Sequence, residues 1–180
     1  WLPSRDEGTI EAIEPRRNLF FRSDAFRTKS FAANLDQVLV LIAAEPAFSS
    51  QQLSRALIAA EAAGIPPLVI LNKSDLTTPH QRAWDWLAPY RAMGYRVLSA
   101  SLAEAGPEQR AALLEELRGK TTLVLGPSGA GKSTLINLLV PDAQALTSEL
   151  SRALRTGKHT TTSTPFYWID AARTTALIDS

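Results

Sequence analysis

The sequence predicts an α/β fold, a three-layer sandwich with a mainly parallel sheet and helices on both faces. Three observations predict it. From Asn34 onward, short apolar runs alternate with segments of helical spacing. A glycine-rich octapeptide, Gly126–Ser133, stands between one such run and one such helix. Polar motifs follow the ends of apolar runs, the place where open parallel sheets bind ligands.

The elements follow in order. Residues 1–33 differ from the rest: Gly8–Glu14 alternates polar and apolar residues, Pro15-Arg16-Arg17-Asn18 punctuates it, and Leu19–Arg22 suits a second short strand. This reads as the tail of a small β module, with the main domain spanning 34–180. Gln37–Ala43 is continuously apolar, as a strand covered on both faces must be. Ser49–Ala63 has helical spacing and stops at Gly64. Pro67–Leu71 is the next strand. Pro79–Met93 is expected as one helix, with Trp84, Leu87 and Met93 on one side and Gly94 closing it. Tyr95–Leu98 is a strand, and Pro107–Leu117 a helix with proline in its first turn. Thr121–Leu125 and Lys132–Leu139 form a strand and a helix around the glycine-rich loop. A polar stretch from about Asp142 to Ser163 reads as loop, and Pro165–Ile169 and Thr174–Ile178 as two final strands.

Composition narrows the chemistry. The 180 residues are 45% hydrophobic and 21% charged, and 19 Lys+Arg against 18 Asp+Glu leave a net charge of +1. A long basic or acidic tail is excluded. There is no cysteine, so disulfides, thiolate zinc sites and cysteine nucleophiles are excluded within these residues. No apolar run approaches the roughly 18 residues of a membrane span, and no signal-peptide pattern opens the chain. The chain starts at Trp1 and stops on the apolar run Leu177-Ile178-Asp179-Ser180, so it is expected to be a piece of a longer, cytoplasmic protein.

Gly126-Pro127-Ser128-Gly129-Ala130-Gly131-Lys132-Ser133 matches G-x-x-x-x-G-K-[ST] at each fixed position, after a strand and before a helix. Glycines let successive N–H groups turn inward as an anion nest, and the helix start adds its positive end. Lys132 would reach the terminal phosphates and Ser133 would ligate Mg²⁺. Ser128, Gly129, Ala130 and Thr134 complete the expected phosphate cradle. The alternative is a helix-capping turn with no ligand, and the loop does not choose between ATP and GTP.

Asn72-Lys73-Ser74-Asp75 follows the strand at Leu68–Leu71 and matches N-K-x-D. Guanine offers two adjacent donors, N1–H and the C2 amine, and a carboxylate such as Asp75 accepts both. Adenine would leave Asp75 unpaired, and a site built for one hydrogen-bond pattern rejects an analogue lacking it. Asn72 could address the other base edge and tie the loop to its neighbours, while the stem of Lys73 packs on the base. The alternative is a solvated turn. Ser99-Ala100-Ser101 is a candidate further base contact through Ser99 and Ala100, or a plain strand-to-loop turn.

The base motif precedes the phosphate loop, the reverse of the usual order. Asn34-Leu35-Asp36-Gln37, Asn72–Asp75, Gly126–Ser133 and Gly157-Lys158-His159-Thr160-Thr161-Thr162, in this order, resemble the circularly permuted GTPases of the RsgA/YjeQ/EngC family. Pro15–Asn18 resembles the end of that family's N-terminal OB-fold. The family shows Arg where Lys158 stands; the charge is kept and the planar fork is lost.

The resemblance implies a Mg²⁺-dependent P-loop GTPase acting in late maturation of the small (30S) ribosomal subunit, on 16S rRNA, as a cytoplasmic monomer. It implies an OB-fold remnant at 1–33 and a GTPase domain at 34–180 cut within switch II, so that the segment binds nucleotide better than it hydrolyses it. Switch I would lie at Thr147–Thr162, with His159 a candidate to position the attacking water and one of Thr160, Thr161 and Thr162, Thr161 by choice, on Mg²⁺. The alternative for His159 is a loop histidine with no catalytic role. Arg152, Arg155 and Lys158 would touch rRNA phosphates or belong to a solvated loop. Asp179 matches the first position of D-x-P-G and would hold Mg²⁺ through water. Zinc is implied only in a C-terminal domain outside this chain. His80, at a helix start, reads as a surface residue. Two other functions stay open: a GTP-gated assembly module with incidental turnover, and a P-loop ATPase in which Asn72–Asp75 is accidental.

Overall fold

The fold is that of a computed structural model, which describes residues 11–13, 15–23, 28–140 and 164–180. The N-terminal part is a hairpin of β1 (Leu19–Ser23) and β2 (Thr28–Ala33), paired antiparallel with an irregularity between Phe20 and Phe21. The sequence reading missed β2. Its Thr-Lys-Ser-Phe-Ala-Ala pattern is mostly polar or small, and the strand exists through its ladder to β1. Of the alternating stretch at 8–14, Glu11–Ile13 are described and are not in a strand.

Pro15–Asn18 proves to be a clasp. The Asn18 side chain donates to the Leu35 carbonyl (2.7 Å) and accepts from the Leu35 N–H (2.9 Å). Arg17 pairs with Asp36 at 3.1 Å, and the other Asp36 oxygen accepts the Thr121 N–H at 2.9 Å. The hairpin is thereby fastened to the amino-terminal end of the main sheet.

That sheet has six strands: β3 (Gln37–Ala43), β4 (Pro67–Asn72), β5 (Arg96–Ser99), β6 (Thr121–Leu125), β7 (Phe166–Trp168) and β8 (Ala176–Asp179). Their order is β5-β4-β3-β6-β8-β7, parallel throughout except for the antiparallel β7–β8 edge. Between them run α1 (Ser50–Ala62), α2 (Thr77–Trp86), α3 (Ala88–Ala92), α4 (Pro107–Leu117) and α5 (Lys132–Leu139).

Local chemistry explains the boundaries. The Ser49 side chain caps α1 by accepting the Gln52 N–H, and Gly64 at φ +65° ends the turn after it. The single helix expected over Pro79–Met93 is two. Pro89 has no N–H to offer the Asp85 carbonyl, and its ring crowds the preceding turn, so α2 stops and α3 restarts around Leu87. The expected apolar side divides accordingly: Leu87 is buried, whereas Met93 is 65% exposed.

Every residue of β3 is buried, and its alternation feeds two cores. Leu39 and Leu41 join Leu113 and Leu117 of α4 and Leu135, Ile136 and Leu139 of α5 on one face. Val38, Val40 and Ile42 join Leu53 and Leu57 of α1 and Ala83 and Leu87 on the other. Each of these valine, leucine and isoleucine side chains contributes about 1.5–3 kcal/mol on burial. Because five strands are parallel, the segments after β4, β5, β6 and β8 emerge at one edge. No helix among the described residues is long and apolar enough to cross a membrane.

Candidate nucleotide-binding site

The glycine-rich loop leaves β6 at that edge. Gly129 (φ +80°) and Gly131 (φ +105°) adopt backbone that other residues rarely take. A Cβ on Gly131 would collide with the Asn72 amide nitrogen, and one on Gly126 with the Leu41 carbonyl oxygen. The loop is thus pressed against β3 and β4. α5 opens at Lys132 with Gly131 as N-cap and no side-chain cap, leaving its first-turn N–H groups free for an anion. The Lys132 ammonium donates to the Gly126 carbonyl at 2.7 Å, inside the curl of the loop. Ala130 is buried and contributes through its backbone, while Ser128, Ser133 and Thr134 are exposed at the mouth.

Asn72 is 4% exposed and knits three segments together. Its amide donates to the Ala130 carbonyl at 2.9 Å; its oxygen accepts the Lys73 N–H at 2.8 Å and the Leu102 N–H at 3.0 Å. Of the two roles expected for it, the geometry provides the tie between loops; the side chain is turned to protein partners. Lys73 has φ +67°, an uncommon conformation for a long side chain, of the kind that gathers at functional sites. Its ammonium donates to the Glu45 carbonyl, so the stem lies between the phosphate loop and the turn after β3.

Asp75 stands exposed in the turn before α2, and Ser101 donates to its Oδ1 at 2.6 Å. Ser99 and Ala100, expected as a further base contact, make bonds within the protein. Ser99 pairs with Leu71 in the β4–β5 ladder, and the Ala100 N–H is spent on the Leu71 carbonyl at 2.9 Å. From the segment that follows, Ala103 lines the cleft and Ser101 holds Asp75. The signal was present in the repeated Ser-Ala-Ser, but only the sheet register selects the second serine.

Asn72, Lys73, Asp75, Ala103, Pro127, Ser128, Gly129 and Gly131–Thr134 line one cleft of about 550 Å³, within the usual range for small-molecule sites. Asp179 closes β8 beside Val124. Burial pushes the Asp179 carboxyl above its usual range, against the charge of Lys132 and the Ser180 N–H. Its Oδ1 is buried with no hydrogen-bond partner among the described residues. Burial and the Asp179 charge together raise the Tyr167 phenol. His159, Thr160, Thr161, Thr162, Arg152, Arg155, Lys158 and the whole Thr147–Thr162 segment lie outside the described residues. No cluster of three His, Cys, Asp or Glu suited to a metal occurs among the described residues.

The model of the RsgA GTPase family matches residues 13–180. This chain belongs to the RsgA GTPase family. It is 67% identical over its full 180 residues to the small ribosomal subunit biogenesis GTPase RsgA of Variovorax paradoxus (strain S110), covering 57% of that protein. It is 53% identical over 182 aligned residues to the protein of the same name from Paraburkholderia xenovorans (strain LB400), covering 99% of the chain and 58% of the relative. The chain therefore spans a little over half the length of these family members. Two solved structures share the fold. YjeQ from Thermotoga maritima superposes with a TM-score of 0.65 at 23% identity, over 94% of this chain and 53% of that one. YloQ, described as a circularly permuted GTPase, gives 0.56 at 21% identity, over 98% of this chain and 60% of that one. The inverted order of the family's motifs in sequence is thus compatible with one contiguous cleft.

Proposed function

We propose that the chain is the guanine-nucleotide-binding and GTP-hydrolysing part of a factor that acts on the small ribosomal subunit. One observation carries the reading: Asp75, held by Ser101, stands on the rim of the same cleft that the phosphate loop lines. A carboxylate at the base end selects guanine, and an anion nest at the other end takes the phosphates. The relatives named above are small ribosomal subunit biogenesis GTPases, which supplies the partner.

Ser133, exposed at the loop, and Asp179, with a buried oxygen lacking a partner among the described residues, suit Mg²⁺. The ion would neutralise charge on the phosphate oxygens. Lys132 would leave the Gly126 carbonyl for the β- and γ-phosphates, where its charge stabilises what develops as the bond breaks. In the reaction a water oxygen attacks the γ-phosphorus, the bond to the β-phosphate oxygen breaks, and GDP and inorganic phosphate result. By the family resemblance His159 would position the water, Thr161 would help hold Mg²⁺, and Arg152, Arg155 and Lys158 would contact rRNA phosphates. The division into an OB-fold remnant at 1–33 and a GTPase domain at 34–180, cytoplasmic action as a monomer, and a zinc-binding domain outside these residues belong to the same proposal.

The test is GTP hydrolysis by the full-length protein with and without purified small subunits. Stimulation by the subunit supports the reading. An equal rate in both favours a GTP-gated assembly module whose turnover is incidental.

A further inference from the structure

We propose that His80 is a positioning residue for guanine recognition, acting through Ser99 to fix the start of α2 and, through Leu76, the turn that carries Asp75. The proposal rests on the guanine reading of the cleft and extends it to a residue that the motifs do not include. Sequence alone made His80 a surface residue. The structure gives it two sets of partners.

The first partner is Ser99. His80 Nε2 and Ser99 Oγ lie 2.8 Å apart, joining the first turns of α2 to the last residue of β5. The second is Trp84, one turn further along α2. The imidazole stacks on its ring at 6.0 Å between centroids and 20° between planes. Trp84 is itself held by Arg91 of α3, whose guanidinium lies 4.2 Å from the ring centroid and whose Nη1 donates to the Trp84 carbonyl at 2.8 Å. The imidazole is therefore oriented by packing before it makes its hydrogen bond.

The placement matters because α2 begins immediately after the base motif. Its N-cap is Leu76, with no side-chain cap. The His80 N–H makes the first helical bond, to the Leu76 carbonyl at 2.8 Å. His80 is thus tied by its backbone to the residue after Asp75 and by its side chain to the strand two residues before Ser101. Ser101 and Asp75 are themselves bonded. The Ser74 N–H to Ala100 carbonyl bond, at 3.0 Å, runs alongside. The result is a closed ring: Asp75, Leu76, His80, Ser99, Ser101 and back to Asp75. Opening it at His80 leaves the phosphate loop untouched and loosens the carboxylate that reads the C2 amine of guanine.

The experiment compares GDP with inosine diphosphate, which lacks that amine, by competition against a fluorescent GDP on the full chain. Wild type prefers GDP. His80→Ala is expected to lower GDP affinity about fivefold, the scale of one partly exposed hydrogen bond, and to lower inosine diphosphate affinity less, so the ratio contracts. Ser99→Ala, which hardly changes packing, is expected to do the same, and the double variant no more than either alone. His80→Gln, which can still reach Ser99, restores most of the ratio. An unchanged ratio in both single variants, or additive losses in the double, overturns the proposal. A protein destabilised at position 80 for packing reasons alone would lose melting temperature at constant ratio, and Ser99→Ala would be silent. A wild-type protein that binds ADP as well as GDP would instead overturn the guanine reading of the cleft.

Discussion

Replacing Asn72 by alanine is the substitution whose effect follows most directly from the geometry. Its side chain satisfies three backbone groups: the Ala130 carbonyl, the Lys73 N–H and the Leu102 N–H. Lys73 is partly exposed, so water can replace that contact; Ala130 and Leu102 are buried at 1% and 3% exposure. Two buried groups are then left unpaired, each costing about 1–3 kcal/mol. Allowing for relaxation, the expected loss is about 3 kcal/mol. For a chain of this size that is a fall of about 6–12 °C in Tm. Because Asn72 joins the phosphate loop to the Ser101–Ala103 segment, GDP affinity should fall at least about tenfold as well. Asn72→Asp, which turns a donor into an acceptor facing the Ala130 carbonyl, should be no milder. Thermal unfolding without ligand and GDP titration measure the two effects. A Tm within about 2 °C of wild type, with unchanged GDP affinity, would refute the role given to Asn72.

Other outcomes follow from the same geometry. Gly131→Ala forces a Cβ into the Asn72 amide at φ +105°, so GDP binding should be lost by about a hundredfold while circular dichroism still reports the folded sheet. Ser101→Ala removes the donor to Asp75 and should weaken GDP about three- to tenfold with little change in phosphate-dependent binding of ADP; equal losses for both nucleotides would contradict the assignment. Asp75→Asn should weaken guanine nucleotides and favour xanthine nucleotides, whose C2 oxo group suits an amide donor; unaltered selectivity would remove Asp75 from the base site. Asp170 accepts the Thr174 and Thr175 N–H groups at 3.0 and 2.7 Å, and its carboxyl is held below the usual value of 3.8, first by the Thr174 backbone bond. Its folded-state value lies below the unfolded one, so its stabilisation is present above pH 3.8 and is lost as pH falls through the depressed value. The stability gap between wild type and Asp170→Ala should therefore be constant from neutral pH to about pH 4 and close in stronger acid; a gap that widens there would contradict the sign.

Much of the framework was legible in the residues. Gln37–Ala43, Pro107–Leu117, Thr121–Leu125 and Lys132–Leu139 occur with the boundaries expected, because each carries its own signal: an unbroken apolar run, a first-turn proline, or a glycine loop at its start. The errors occurred where the signal is not local. β2 depends on its partner strand. The break at Leu87 depends on how strongly Pro89 crowds the turn before it, and helical periodicity outweighed it. At Ser99-Ala100-Ser101, which serine reaches Asp75 is decided by the pairing of Ser99 with Leu71, and one sequence does not display that register. The same lack of tertiary information hid the Ser99 and Trp84 partners of His80 and the three partners of Asn72.

The central claim is that a cleft assembled from motifs in inverted order selects guanine. Displacement of a fluorescent GDP by unlabelled GTP and by ATP tests it most directly. GTP should displace the probe at concentrations lower than ATP by about three orders of magnitude or more, as expected where a site built for one hydrogen-bond pattern rejects the wrong base. Displacement by ATP at the same concentrations as GTP would contradict the claim, leaving a phosphate loop without a base reader.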